Sequence, residues 1–194
     1  LPHFYELFAL WAYEEDREFW KEAALASRKY LAVACHPVTG MNPEYGNFDG
    51  TPMDKELPWG GKHDKFFSDA YRTAANIGLD YVWFGKDEGH YAAPLRLMRY
   101  LKTDLEAARC VFEVDGTVTE QQVLHPLALL ATMAQSALTV EKEESDDANS
   151  DWNVAARWVE WFWNQPLREG DRRYYDNCLY LFALLALSGN YRIY

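Results

Sequence analysis

The segment KFFSDAYRTAANIGLDYVWFG, residues 65–85, places Asp69, Arg72, Asn76 and Asp80 at i, i+3, i+7 and i+11, a single polar stripe on a helix. Ser68 reads as an N-cap, which puts Asp69 in the first turn, where free N–H groups and the helix dipole favour a carboxylate. Arg72, one turn on, can pair with Asp69 and fix its orientation. Both effects suit a general base that must be ionised at neutral pH. The same pairing is also routine helix stabilisation, so spacing alone leaves both readings open.

The stripe cannot hold a complete acid–base pair. Asp69 and Asp80 would stand about 16 Å apart along a helix, whereas glycosidase carboxyl pairs lie about 5–9.5 Å apart. Asp80 therefore reads as a structural residue satisfied by a neighbour. A second candidate is His125 in QVLHPLA, where Pro126 sets the turn into a helix. It is either a ligand-facing donor or a turn residue. His3, His36, His63 and His90 show no metal-ligand spacing among themselves or with cysteine, and no phosphate loop, GxSxG or HExxH is present. No metal or cofactor is expected.

The elements that must position these residues read as helical almost throughout. Phe4, Leu7, Phe8 and Trp11 form the apolar stripe of a first helix. Phe19, Ala23, Ala26 and Tyr30 mark a second, with Asp16 as its cap and an end near Cys35-His36-Pro37. Residues 36–66 are rich in Pro and Gly but carry Tyr45, Phe48 and Trp59, which suggests an ordered loop at a site rather than disorder. A third helix starts at Ser68, a fourth runs from about Asp87 to Cys110 and a fifth covers 127–139. EKEESDDANS is an acidic, solvated linker. A sixth helix carries Trp152, Trp158, Trp161, Phe162 and Trp163. The seventh, YYDNCLYLFALLALSG, is apolar nearly all round and therefore expected to be buried, with Gly189 as its stop. About seven helices in hairpin succession, without a convincing strand, build a bundle, a solenoid or a closed toroid.

The 194 residues suffice for one domain with a sizeable core. A net charge of −11 argues against nucleic acid or an anionic membrane as partner, and no apolar run is long enough to span a bilayer. Cys35, Cys110 and Cys178 read as buried thiols of a reducing compartment, which points to a cytoplasmic location. Aromatic residues make up 16% of the chain, suited either to stacking on sugar rings or to a helical core of large side chains.

LPHFYELFALWA, FFSDAYRTAANIGLDYVWFG and YYDNCLYLFALLALSGNYRIY resemble glycoside hydrolase family 8, and within it the reducing-end xylose-releasing exo-oligoxylanases. The resemblance runs in order over nearly the whole chain, and the segment around Asp69 is its most specific part. It implies an all-α fold, an (α/α)6 barrel, and hydrolysis of xylo-oligosaccharides with inversion. In the family's D-A-x-R motif the aspartate is the general base, which falls on Asp69, with Arg72 the accompanying arginine. Leu124-His125-Pro126 matches the Leu-His-Pro loop that closes the cleft beyond the reducing-end sugar, and His125 would recognise the reducing-end hydroxyl. Tyr45, Phe48, Tyr174 and Tyr175 are candidates for lining the sugar sites.

The family's general acid, a glutamate, and a further active-site aspartate belong to its first half and find no matching motif here. With seven helices where the closed barrel has twelve, the resemblance implies a C-terminal half that works with a missing N-terminal half. The rival expectations are an endo-acting family 8 xylanase or glucanase and a non-catalytic carbohydrate-binding fragment.

Overall fold

The computed structural model describes residues 1–58, 60–85, 89–101 and 110–194. Among them are seven α-helices: α1 (Pro2–Trp11), α2 (Arg17–Ala34), α3 (Tyr71–Phe84), α4 (Ala92–Leu101), α5 (Pro126–Ser136), α6 (Asp151–Trp163) and α7 (Arg173–Leu187). Strand pairing among the described residues is confined to isolated bridges, such as Phe66 with Phe112 and Phe112 with Val118. Neighbouring helices pair along the chain, α1 with α2 and α5 with α6, while α1, α3, α5 and α7 also pack side by side and α4 lies against α6. The odd helices thus form one layer and the even ones flank it.

Helix α5 is the centre of that layer. Every residue from Ala128 to Ser136 is buried. Small side chains let α3 and α7 close in on both sides. Gly78 on α3 is required here, because a Cβ at that position would lie 2.7 Å from the Gln135 carbonyl oxygen. Gln135 in turn donates from Nε2 to the Ala75 carbonyl at 3.1 Å. The main core gathers Phe66, Tyr71, Met98, Leu129, Met133 and Trp158, contributed by α3 to α6 and the loop before α3.

Several helix faces differ from the sequence reading. On α1 the buried positions are Pro2, His3, Glu6 and Leu7, while Phe8 is exposed and Trp11 is 62% exposed. On α2 the buried line is Ala24, Arg28 and Ala34, and Phe19 is 63% exposed. Only part of each expected apolar stripe turns inward: Leu7 is buried but Phe8, Trp11 and Phe19 are exposed, and on α2 a buried arginine takes the inward position. The expectation of an all-round buried α7 is also corrected: Asp176, Ala183 and Ala186 are buried, whereas Leu181 and Phe182 are exposed. Asp16 and Ser68 make no side-chain cap bonds to α2 and α3. The fourth helix is described only over Ala92–Leu101, after a 3-10 turn at Gly89–Tyr91; Trp59, Asp87 and residues 102–109 lie outside the described residues. Cys35 is buried but Cys110 and Cys178 only partly so, and none of the three is joined in a disulfide.

Arg28 explains its unusual burial through its partners. Its Nε and Nη2 bond both oxygens of Asp80 at 2.9 and 2.7 Å, and its Nη1 reaches Glu6 at 2.6 Å. Tyr91 adds a hydroxyl to Asp80 at 3.0 Å. Burial alone would raise the Asp80 pKa, but the His90 and Arg28 contacts overturn it and hold the carboxyl well below the ordinary range. This cluster ties α1, α2, α3 and the turn before α4 together. Asp80 is a structural residue.

Candidate functional site

Asp69 lies in a 3-10 turn, Ser68–Ala70, that leads into α3. Its side chain is 40% exposed, and each carboxylate oxygen has a separate donor. Arg72 Nη2 stands 2.7 Å from Oδ2, and the Tyr175 hydroxyl donates to Oδ1 at 2.9 Å. The Asp69 backbone N–H donates to Glu44 Oε1 at 3.0 Å. The other Glu44 oxygen meets His63 Nδ1 at 2.5 Å. The 36–66 loop therefore grips the turn from behind, and it is itself fastened to the 111–119 segment by Phe66 N–H to the Phe112 carbonyl and Thr39 Oγ1 to the Val114 carbonyl.

His125 precedes α5, with Pro126 as the first helical residue. Its ring packs on that of Tyr175 with centroids 4.4 Å apart, and its Nδ1 lies 3.1 Å from Asp176 Oδ1. Arg168 bonds the other Asp176 oxygen and donates to the Leu124 carbonyl at 2.7 Å. Burial pushes the His125 pKa down against the pull of Asp176, which keeps the ring neutral at neutral pH. Burial, reinforced by the Asp69 charge, pushes the Tyr175 hydroxyl pKa up, so it stays a donor. Asp69, Tyr175 and His125 thus form one continuous cluster at the N-terminal ends of α3, α5 and α7.

Backbone strain marks the same place. Among the described residues the only non-glycine positions at positive φ are Ser68 (41°) and Arg172 (64°), directly before Asp69 and before α7. Such conformations persist where surrounding contacts over-determine them, commonly at functional sites.

The structure brings together Asp69, Arg72, Tyr175, His125 and, through its carbonyl, Leu124. Tyr45 is part of the gripping loop, its ring edge-on to His63 at 5.3 Å. Phe48 is fully exposed and makes no ring contact or hydrogen bond with the cluster. Tyr174 is 83% exposed and lines a separate hollow of about 570 Å³ with Arg172, Asn177 and Leu181. Glu44, His63, Arg168 and Asp176 were not singled out from sequence, because no periodicity joins a loop carboxylate to a turn 25 residues away. Among the described residues no group of three or more His, Cys, Asp or Glu side chains is arranged to hold a metal, and no helix is long and apolar enough to cross a membrane.

Over its whole length the chain is 49% identical to a reducing-end xylose-releasing exo-oligoxylanase of Paenibacillus barcinonensis and 51% identical to one of Halalkalibacterium halodurans. Its relatives are exo-oligoxylanases. The chain spans 48% and 46% of the length of these two proteins. The solved structure of the Paenibacillus exo-oligoxylanase complexed with xylose superposes on all of the chain with a TM-score of 0.88. A variant of the same protein has been solved with an arabinofuranosyl-xylotetraose. No family model matches the chain. The described helices have the fold of the C-terminal half of an (α/α)6 barrel.

Proposed function

We propose that the chain is the C-terminal half of a single (α/α)6 catalytic domain that hydrolyses xylo-oligosaccharides, releasing xylose from the reducing end with inversion. The observation that carries this reading is the doubly held carboxylate of Asp69 on a chain half identical to exo-oligoxylanases. Each carboxylate oxygen accepts one bond from the protein and keeps capacity for another, and the side chain remains accessible to water. Asp69 takes a proton from the attacking water while a carboxylic acid outside this chain protonates the leaving oxygen. Glu44 is not that acid: it is largely buried and both its oxygens are engaged. Leu124, His125 and Pro126 close the reducing-end side, and His125 bonds the terminal hydroxyl. Tyr45 and Tyr175 line the sugar path, with Phe48 and Tyr174 outside the cluster and reserved for more distant sugar units.

The test uses xylotriose carrying ¹³C at its reducing-end C1. The chain alone gives no hydrolysis, and the chain joined with its N-terminal half-barrel gives labelled xylose and unlabelled xylobiose. His125→Ala in that enzyme spreads cleavage of longer xylo-oligosaccharides to internal bonds. Label recovered in xylobiose contradicts the reading and favours the endo-acting alternative, and hydrolysis by the 194-residue chain alone contradicts the placing of the acid outside this chain.

A further inference from the structure

The Asp176 side chain hydrogen-bonds both His125 and Arg168. It is completely buried in the first turn of α7. Its Oδ1 faces His125 Nδ1 at 3.1 Å and its Oδ2 takes a bond from Arg168 Nη1. A carboxylate facing a ring nitrogen at this distance can only accept, so Nδ1 must carry the hydrogen. His125 Nε2 bonds no described residue and, in the neutral ring, then holds a lone pair.

Arg168 makes the arrangement one-directional. Its own donation to the Leu124 carbonyl at 2.7 Å, and the paired bonds of its backbone with the Asn177 side chain at 2.9 and 3.0 Å, hold it in place. Oδ2 must therefore stay an acceptor. The same guanidinium fixes the backbone of the loop that carries His125, so ring orientation and loop position share one anchor. The groups that face the imidazole are Asp176 and Tyr175 from α7, with Arg168 and Arg172 from the segment before it.

We propose that Asp176 is a positioning residue that fixes His125 in the Nδ1–H tautomer and so presents Nε2 as a hydrogen-bond acceptor to a sugar hydroxyl. This rests on the reading of His125 as the reducing-end recognition residue. The chemistry selects the anomeric hydroxyl over the ring's other hydroxyls. The adjacent ring oxygen withdraws electron density from it, which makes it a stronger donor and a weaker acceptor than an ordinary alcohol. The negative charge behind Nδ1–H also raises the basicity of Nε2, as a carboxylate does for a metal-bound imidazole.

Asp176→Asn is the informative substitution because it keeps the shape and reverses the polarity. Arg168 demands the amide oxygen, so the amide NH₂ turns to Nδ1, and Nδ1 must then accept. The ring proton moves to Nε2, which becomes a donor. The same exchange in a Ser-His-Asp triad produces the wrong tautomer.

The experiment compares kcat/KM for xylotriose and for its analogue lacking the reducing-end anomeric hydroxyl, in the complete enzyme and its Asp176→Asn variant. The wild type prefers xylotriose, and the variant loses about tenfold or more on xylotriose while its rate on the analogue stays within about twofold. Equal losses on both substrates, or none, overturn the proposal, since a purely structural role affects both alike. In parallel, ¹⁵N NMR of the histidine-labelled wild type reads the His125 tautomer directly and needs no variant to fold. An Nε2–H signal overturns the proposal, and an Nδ1–H signal supports it. If the wild type does not hydrolyse xylotriose, the reading of His125 as a reducing-end sensor fails, while the NMR spectrum still decides the tautomer.

Discussion

At the scale of the residue, the candidate base and its arginine were legible because they lie three positions apart on one helix, where sequence spacing is spatial proximity. The pair forms as expected, at 2.7 Å. What sequence could not supply is the other half of the constellation. Tyr175 reaches Asp69 from 106 residues away and Asp176 reaches His125 from 51, distances over which no periodicity operates. Tyr175 was legible only as an aromatic residue suited to sugar stacking, yet its hydroxyl is committed to the carboxylate. Removing that hydroxyl leaves the ring contact with His125 and deletes a bond to a charged acceptor. Tyr175→Phe should therefore lower kcat on xylotriose by about ten- to a hundredfold with little change in melting temperature, the equivalent of about 1.5–3 kcal/mol. Unchanged kcat would show that Arg72 alone suffices to orient Asp69.

At the scale of the element, the existence and order of the helices followed from periodicity, but the direction each one faces did not. The clearest case is α2. Its apolar stripe through Phe19 pointed one way, and the structure turns Arg28 inward instead, because Asp80 and Glu6 wait there to neutralise it. A periodicity argument counts arginine as a solvent-facing residue and cannot see a partner on another helix. Similarly, α7 is richer in large apolar residues, yet the small-residue helix α5 is the one enclosed on all sides. Close helix approach needs alanine and glycine more than leucine.

The Arg28 cluster carries a stability prediction with a defined pH window. Asp80 is ionised far more readily in the folded protein than in the unfolded chain, where its pKa is about 3.9. The stability it contributes is present above about pH 4 and is lost as the pH falls below that value. Arg28→Ala strands a buried charge and should cost about 3–5 kcal/mol at neutral pH. In denaturant titrations the gap between variant and wild type should narrow below about pH 4. A gap that is small at neutral pH, or that widens on acidification, would show that the cluster does not hold α1, α2 and α3 together.

At the scale of the whole molecule, the helices at the two ends of the row both carry exposed rings: Phe8 and Trp11 on α1, beside Phe19 on α2, and Tyr174 and Phe182 on α7. Those are the edges that the first half of a closed toroid would cover, and the chain spans about half the length of the relatives it matches. The C-terminal half of the fold was thus legible from the resemblance and from the shortage of helices, while the misplaced α1 and α2 stripes have the same origin. In the proposed closed barrel their exposed apolar residues would face helices of the other half. In the proposed mechanism the base, Asp69, lies on this half and the acid on the other. The most direct measurement is kcat of the assembled enzyme on xylotriose with Asp69→Ala, alongside a melting curve of the same variant. The expected result is a loss of about a hundredfold to ten-thousandfold with an unchanged melting temperature. Turnover within a few-fold of the wild type would mean that Asp69 is no more than a well-anchored turn residue.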